Sequence, residues 1–104
     1  MSIEKKYLPK KGVCQVTFRL PIAEAHAAKK VFIVGDFNEW SKNGNPMRKS
    51  KEGDFAITLE FPFGTFYQFR YLIDGLHWEN DDAADAYMQS PFGSDNSVVM
   101  IDAY

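Results

Sequence analysis

The amino-acid sequence predicts an all-β protein, a β-sandwich of immunoglobulin-like size with about seven short antiparallel strands. Three observations support this prediction. Apolar and polar residues alternate with a period of two along much of the chain, which is typical of half-buried strands. Turn residues divide these segments at short intervals. Aromatic residues make up 15% of the 104 residues, as is common in small β cores. A small closed barrel is the alternative, because periodicity alone does not exclude it.

The first half of the chain contains three predicted strands. Residues 1–11 are rich in lysine and are expected to form a loose N-terminal tail. Val13–Leu20 alternates strictly, so its even-numbered residues should face the core. Ala23–Lys30 follows a proline and is expected to be a connection with at most one helical turn. Val31–Gly35 is a continuous apolar run, typical of an interior strand, and Pro46–Lys49 is a further short strand.

The second half adds strands that are separated by clear turns. Gly53, within the turn Lys51–Asp54, is expected to supply a positive φ for a hairpin. Pro62–Gly64 separates two strands, and Asp74-Gly75 marks a second hairpin. Residues 1–104 are interpreted as a single domain, because neither an internal repeat nor a linker interrupts them. The predicted strands of this half are Asp54–Phe61, Phe66–Ile73, His77–Asn80 and Ser97–Ile101.

The strand Phe66–Ile73 presents two different faces. Its odd-numbered residues are aromatic or aliphatic and should face the core. Gln68 and Arg70 lie on the other face, which should meet solvent or a ligand. That second face is therefore the candidate binding surface.

The length of the following turn decides where the indole of Trp78 lies. A two-residue turn would pair Tyr71 with Trp78 and place the indole in the core. A three-residue loop, Asp74–Leu76, would pair Leu72 with Trp78 and place the indole on the face of Arg70. The residue pattern leaves both registers open.

Composition and charge exclude several classes of function. The formal net charge is −2, so we expect binding neither to nucleic acid nor to an anionic membrane. No segment is long and apolar enough for a membrane span. Cys14 is the only cysteine, which rules out an intrachain disulfide and fits a cytoplasmic protein.

The sequence contains no pattern expected of a catalytic or metal site. His26 and His77, the only histidines, match no catalytic motif, and with one cysteine they cannot form a structural zinc site. The acidic residues between Glu79 and Asp85 lack the spacing of a calcium loop. We therefore expect no metal, no cofactor and no enzymatic activity, including glycoside hydrolysis, for which so thin a sandwich offers little cleft.

Three segments carry a resemblance to a known family. "VFIVGDFNEW", "FRYLIDGLHW" and "SPFGSDNSVV", in this order and spacing, resemble the early-set domain at the N-terminus of isoamylase-type enzymes. The same module is the glycogen-binding domain of the AMP-activated protein kinase beta subunit, carbohydrate-binding module family 48. The resemblance covers Val13–Ile101. It implies an immunoglobulin-like β-sandwich of the early set that binds α-1,4-linked glucans such as glycogen or starch oligosaccharides and has no catalysis of its own.

The resemblance also implies a set of carbohydrate-binding residues. Two tryptophans would stack on glucose rings, a basic residue and a loop asparagine would hydrogen-bond the sugar hydroxyls, and a neighbouring apolar residue and hydroxyl would complete the site. An arginine offers planar, multiple donors to vicinal hydroxyls, and indole suits the apolar face of a sugar. Matched motif by motif, these residues are Trp40, Arg70, Trp78, Phe92, Ser94 and Asn96.

The sequence departs from the family pattern at two positions. Two residues, rather than the usual one, separate Asp74-Gly75 from Trp78, and the three-residue loop would absorb the extra one. Phe92 is bulkier than the usual leucine and would either stack on sugar or block it.

Structural roles remain open for the same residues. Trp40 could cap the sandwich, Arg70 could pair with Glu79, and Asn96 could shape its own loop. Phe37, Pro91 and Gly93 are interpreted as structural. The alternative function is a protein-interaction or regulatory module on the same fold that no longer binds sugar. In either case the module is expected to be free-standing, with a glycogen-metabolism enzyme or another protein as its partner.

Overall fold

The computed structural model describes residues 3–25, 27–91 and 93–103. These residues form two antiparallel sheets and one short helical turn, α1 (Ile22–Ala25). A 3₁₀ turn, Asp36–Asn38, follows the third strand. The strands are β1 (Ile3–Leu8), β2 (Val13–Leu20), β3 (Val31–Gly35), β4 (Asn45–Pro46), β5 (Arg48–Lys49), β6 (Phe55–Pro62), β7 (Phe66–Ile73), β8 (His77–Glu79), β9 (Ala86–Gln89) and β10 (Asp95–Met100).

The two sheets form the predicted sandwich, not a closed barrel. The first sheet has the order β1-β2-β6-β5. The second has the order β4-β3-β7-β10-β9, and β8 pairs with β7 as well. The sheets enclose a core of aromatic and aliphatic side chains, with Phe18, Phe69 and Tyr71 among the largest that are fully buried. The predicted strand periodicity therefore gave the correct fold class.

The expectation of a loose tail over residues 1–11 is wrong for Ile3–Leu8. These residues pair with β2 in full register, from Ile3 opposite Phe18 to Leu8 opposite Val13. The Lys5 ammonium contacts the Asp85 carboxylate at 2.7 Å, which ties this strand to the opposite sheet. Ile3 and Tyr7 pack against the core, while the lysine-rich composition hides their alternation in the sequence.

Residues 45–49 pair with both sheets instead of forming one strand. β4 pairs with β3 in the second sheet, whereas β5 pairs with β6 in the first. Met47 lies between them, is buried, and donates its backbone N–H to the Val31 carbonyl at 2.8 Å. The segment therefore links the two sheets at one edge.

The outer face of the second sheet carries a small apolar layer of its own. Val34, Leu72 and Val98 are almost completely buried, yet they alternate with core residues such as Ile33 and Val99. Because successive side chains of a strand point to opposite faces, these three residues lie on the outer face. Arg70 lies beside Val34 and Gln68 beside Val98 on this face, so the apolar layer adjoins the polar residues of the candidate site.

Candidate functional site

A groove of about 470 Å³ crosses the outer face of the second sheet. Two tryptophans and a row of polar side chains line it, which makes it suited to a ligand with both apolar and hydroxyl surfaces. The lining includes Asp36, Trp40, Gln68, Arg70, Trp78 and Asn96.

Trp78 is placed in this groove by a three-residue hairpin loop. Leu72 lies opposite Trp78 and Ile73 opposite His77, so residues 74–76 form the loop. Trp78 therefore extends from the same face as Arg70, and its side chain is 39% exposed. Of the two registers that the sequence leaves open, the structure has the one that brings the indole to the candidate binding face.

Asp74 stabilises the hairpin loop. Its φ is 51° and that of Gly75 is 70°, so both residues adopt the left-handed conformation, which aspartate tolerates better than most residues. One carboxylate oxygen of Asp74 accepts the backbone N–H groups of Lys29 and Lys30, each at 2.9 Å. These hydrogen bonds lower the pKa of the Asp74 carboxyl below its usual value.

Asp36 holds the indole of Trp40 in the groove. The indole Nε1 of Trp40 donates to Oδ1 of Asp36 at 2.9 Å, and Oδ2 of Asp36 accepts the backbone N–H of Gln68 at 2.7 Å. Glu39 has a φ of 58° and Trp40 a φ of 57°, so both residues lie in the left-handed region. Two consecutive non-glycine residues in this region are costly, so the Asp36 hydrogen bonds help to maintain the turn and the indole orientation.

Phe37 anchors this turn in the core. Its ring centroid lies 5.3 Å from that of Phe61 and 5.9 Å from that of Tyr67. Gly35, which precedes the turn, lies so close to β7 that a Cβ would be 2.4 Å from the Gln68 carbonyl oxygen. The structural interpretation of Phe37 is therefore confirmed, and Gly35 permits the close approach that lets Asp36 reach Gln68.

Asn38 closes the base of the loop that presents Trp40. Its Oδ1 accepts the Gly35 N–H at 3.0 Å. Its Nδ2 donates to the Ile33 carbonyl at 3.0 Å and to Oδ1 of Asn45 at 2.8 Å. These hydrogen bonds connect the end of β3 to β4 and stabilise the loop between the two strands.

A hydrogen-bonded row of polar side chains lines the groove together with the two indoles. Arg70 donates from Nε to Oδ1 of Asn96 at 2.6 Å and from an Nη to Oγ of Ser94 at 2.7 Å. Asn96 in turn donates from Nδ2 to Oε1 of Gln68 at 3.0 Å. Asn96 is only 8% exposed, so its amide is committed to its neighbours and orients them.

The structure does not support the alternative that Arg70 pairs with Glu79. Glu79 lies opposite Tyr71 in the β7–β8 ladder, so it extends from the core side of the sheet and Arg70 from the outer side. The hydrogen bonds of Arg70 run to Ser94 and Asn96 instead.

The structure brings together most of the residues matched from the sequence. Trp40, Arg70, Trp78 and Asn96 line one groove, and Ser94 contacts Arg70. Phe92 lies outside the described residues. The sequence reasoning placed Gln68 on the candidate binding face, but it missed Asp36, Lys42 and Ser90 as lining residues and treated Pro91 as structural only.

The acidic residues after Glu79 have structural partners. Asp81 is buried, and its carboxylate accepts the Tyr71 hydroxyl at 2.6 Å and the Ala83 N–H at 2.8 Å. Burial, together with the nearby Asp81 charge, raises the pKa of the Tyr71 phenol well above its usual value. Within residues 3–25, 27–91 and 93–103, no group of three or more potential ligands is arranged to hold a metal ion.

A second concavity, of about 610 Å³, lies against the first sheet. It is larger than the groove, but its described lining includes no aromatic side chain and carries two residues of each charge, Arg19, Arg48, Glu52 and Asp54. The tryptophans on which a sugar ring could stack line the smaller groove.

Across the part of the chain that the structure describes, no helix has the length and apolarity needed to cross a membrane.

Comparison with known proteins gives a consistent result. Residues 16–103 match the family model described as the glycogen recognition site of AMP-activated protein kinase. The chain is 32% identical over 73 residues to the 5'-AMP-activated protein kinase subunit beta-1 of Sus scrofa, a match that covers 70% of this chain and 55% of that protein. It is 32% identical over 77 residues to subunit beta-2 of Homo sapiens, covering 74% of this chain and 26% of that protein. The matches thus span between a quarter and about half of these relatives. The chain belongs to the glycogen-recognition family of AMP-activated protein kinase, a family of carbohydrate-binding modules.

Proposed function

We propose that the groove between Trp40 and Trp78 binds α-1,4-linked glucan, such as glycogen or starch oligosaccharides, without catalysing its cleavage. One observation carries the proposal. Two indoles that are distant in sequence line a single groove together with the hydrogen-bonded row of Gln68, Arg70 and Asn96. This arrangement supplies stacking surfaces and hydroxyl partners together.

The chemistry of the groove suits a glucose polymer. The apolar face of a glucose ring would stack on each indole. A guanidinium has five N–H donors, and Arg70 gives one at Nε and one at an Nη to protein acceptors. The remaining donors can reach vicinal sugar hydroxyls from a side chain that is already oriented. The groove is open and shallow, so we expect dissociation constants in the range of about 1 μM to 1 mM.

The proposal extends to the setting in which the module acts. We place it in the cytoplasm, which the single buried thiol of Cys14 fits. Its macromolecular partner would be a glycogen-metabolism enzyme or another protein that is brought to the glucan. Among the described residues, no observation favours the alternative of a module that no longer binds sugar.

Affinity electrophoresis in gels with and without glycogen tests the proposal. We expect glycogen to retard the wild-type protein, and β-cyclodextrin to shift the indole N–H resonances of both tryptophans. The variant Arg70→Ala should lose the retardation, whereas Arg19→Ala, which removes an exposed arginine from the first sheet, should keep it. Unchanged mobility of the wild type together with unshifted indole resonances would refute glucan binding.

A second assay addresses the absence of catalysis. Glycogen and maltooligosaccharides incubated with the protein should release no reducing sugar above the blank. Release of reducing sugar that follows the protein through purification and is lost in the Arg70→Ala variant would contradict the non-catalytic part of the proposal.

A further inference from the structure

Phe66 and Met100 form an exposed apolar pair on the same face as the groove. Phe66 is 59% exposed and Met100 is 45% exposed. The two residues lie opposite one another on β7 and β10, so their side chains extend from the sheet side by side. The ring of Phe66 is the most exposed aromatic ring on β7, and it lies at the end of the strand that is far from Trp78.

The pair is continuous with the polar row of the groove. Phe66, Gln68, Arg70 and Leu72 are alternate residues of β7 and share its outer face. At about 3.4 Å per residue, Phe66 lies about 14 Å along the strand from Arg70. Gln68 lies between them and accepts a hydrogen bond from Asn96 through Oε1, which leaves its Nε2 hydrogens for a ligand.

Trp78 and Phe66 therefore mark the two ends of one strip along β7. The strip presents, in order, an indole, a guanidinium, a carboxamide and a phenyl ring. The strip thus has a stacking surface at each end and hydrogen-bond donors in the middle. This arrangement matches a linear polymer that is apolar on its ring faces and hydroxylated at its edges. A short sugar would occupy only the centre of the strip.

We propose that Phe66, supported by Met100, is an additional stacking subsite that makes the module prefer longer linear α-glucan chains. This inference rests on the proposed function and adds a chain-length preference to it. The occupant is the same polysaccharide that lies on Arg70, extended towards the end of β7.

The test compares two oligosaccharides of different length by isothermal titration calorimetry. For the wild type we expect tighter binding of maltoheptaose than of maltotriose. Phe66→Ala should weaken maltoheptaose binding by about three- to tenfold while maltotriose binding changes by less than about twofold. Phe66→Trp should retain the preference. Ile22→Ala is the matched control, because Ile22 is similarly exposed at 55% but lies in α1, away from this face.

The outcomes separate this inference from the proposed function. If the wild type binds both sugars and Phe66→Ala leaves their affinity ratio unchanged, the subsite is refuted and glucan binding stands. If the wild type binds neither sugar, both proposals fail. Sedimentation velocity provides a further readout: a concentration-dependent dimer that Phe66→Ala abolishes, with an unchanged affinity ratio, would assign the pair to a contact with a second copy and overturn the subsite.

Discussion

Oδ1 of Asn96 accepts a hydrogen bond from Nε of Arg70 at 2.6 Å, and this contact orients the guanidinium in the groove that the two indoles line. Asn96 is nearly buried and also donates to Gln68. It therefore acts on a ligand through the side chains it orients, and its role differs from that of a residue that contacts sugar directly.

This relationship predicts non-additive effects of substitution. Asn96→Ala should weaken glucan binding by about tenfold, because Arg70 loses the partner that orients it. In an Arg70→Ala background the same substitution should change the affinity by less than about twofold. A calorimetric double-mutant cycle measures this coupling. Additive losses would show that Asn96 contacts the sugar independently of Arg70.

Removing the Asp36 carboxylate should release Trp40. Asp36→Ala removes the acceptor of the indole N–H and of the Gln68 N–H, so we expect glucan affinity to fall by about three- to thirtyfold. The indole N–H resonance of Trp40 should move, while that of Trp78 serves as an internal reference. Glu60→Gln, on the outer face of the first sheet, is the control. A Trp40 resonance that stays in place would contradict this role of Asp36.

Tyr71 should contribute to stability through its hydroxyl. Tyr71→Phe leaves the buried Asp81 carboxylate without its 2.6 Å donor, so we expect the free energy of unfolding to fall by about 1–3 kcal/mol. Tyr87→Phe should cost less, about 0.5–1.5 kcal/mol, because Tyr87 is half exposed and donates to a backbone carbonyl. Urea unfolding measures both values. Both hydroxyls donate to Asp81, so equal losses would indicate that neither the charge of the acceptor nor the burial of the donor is the deciding factor.

The same phenol predicts a response to alkaline pH. The pKa of Tyr71 is raised in the folded protein, so its contribution is fully present below the unfolded pKa of about 10 and is lost as the pH rises above that value. In Tyr71→Phe the decline of stability with rising pH should be shallower than in the wild type. A spectrophotometric tyrosine titration alongside unfolding curves at each pH checks this, and identical slopes would refute it.

Asp74 should make the hairpin loop sensitive to acid. Its folded pKa is lowered, so its stabilising contribution is present above the unfolded pKa of about 3.9 and is lost as the pH falls through the lower folded value. The difference in stability between wild type and Asp74→Ala should therefore be largest at neutral pH and shrink in acid. Asp74→Asn keeps an acceptor and tolerates the left-handed backbone, so it should lose little at pH 7. A difference that is constant with pH would contradict the assignment.

Sequence periodicity was sufficient where strands bury one clean face. β2, β3 and β7 begin and end where the pattern predicts. β1 was missed because its lysines dominate the composition, although its alternate residues pack on the core. β9 was missed because it is an edge strand that buries almost nothing. An edge strand of this kind shows little alternation of apolar and polar residues, because backbone hydrogen bonds to the neighbouring strand hold it in place and burial of its side chains does not.

The site was predictable in its residue types and less so in its connections. The register of Trp78 depended on one residue of loop length, which local pattern leaves undecided and the β7–β8 ladder fixes. The role of Asp36 was invisible in sequence, because it depends on the close approach of Gly35 to β7. Long-range hydrogen bonds of this kind follow from tertiary packing, which no single segment encodes.

Val34, Leu72 and Val98 are buried on the outer face of the second sheet, although they lie outside the main core. The second sheet therefore packs apolar side chains on both of its faces, which restrains the strands from which Arg70 and Asn96 extend. A polysaccharide in the groove would meet a framework that is already rigid, so binding would require little ordering of the protein.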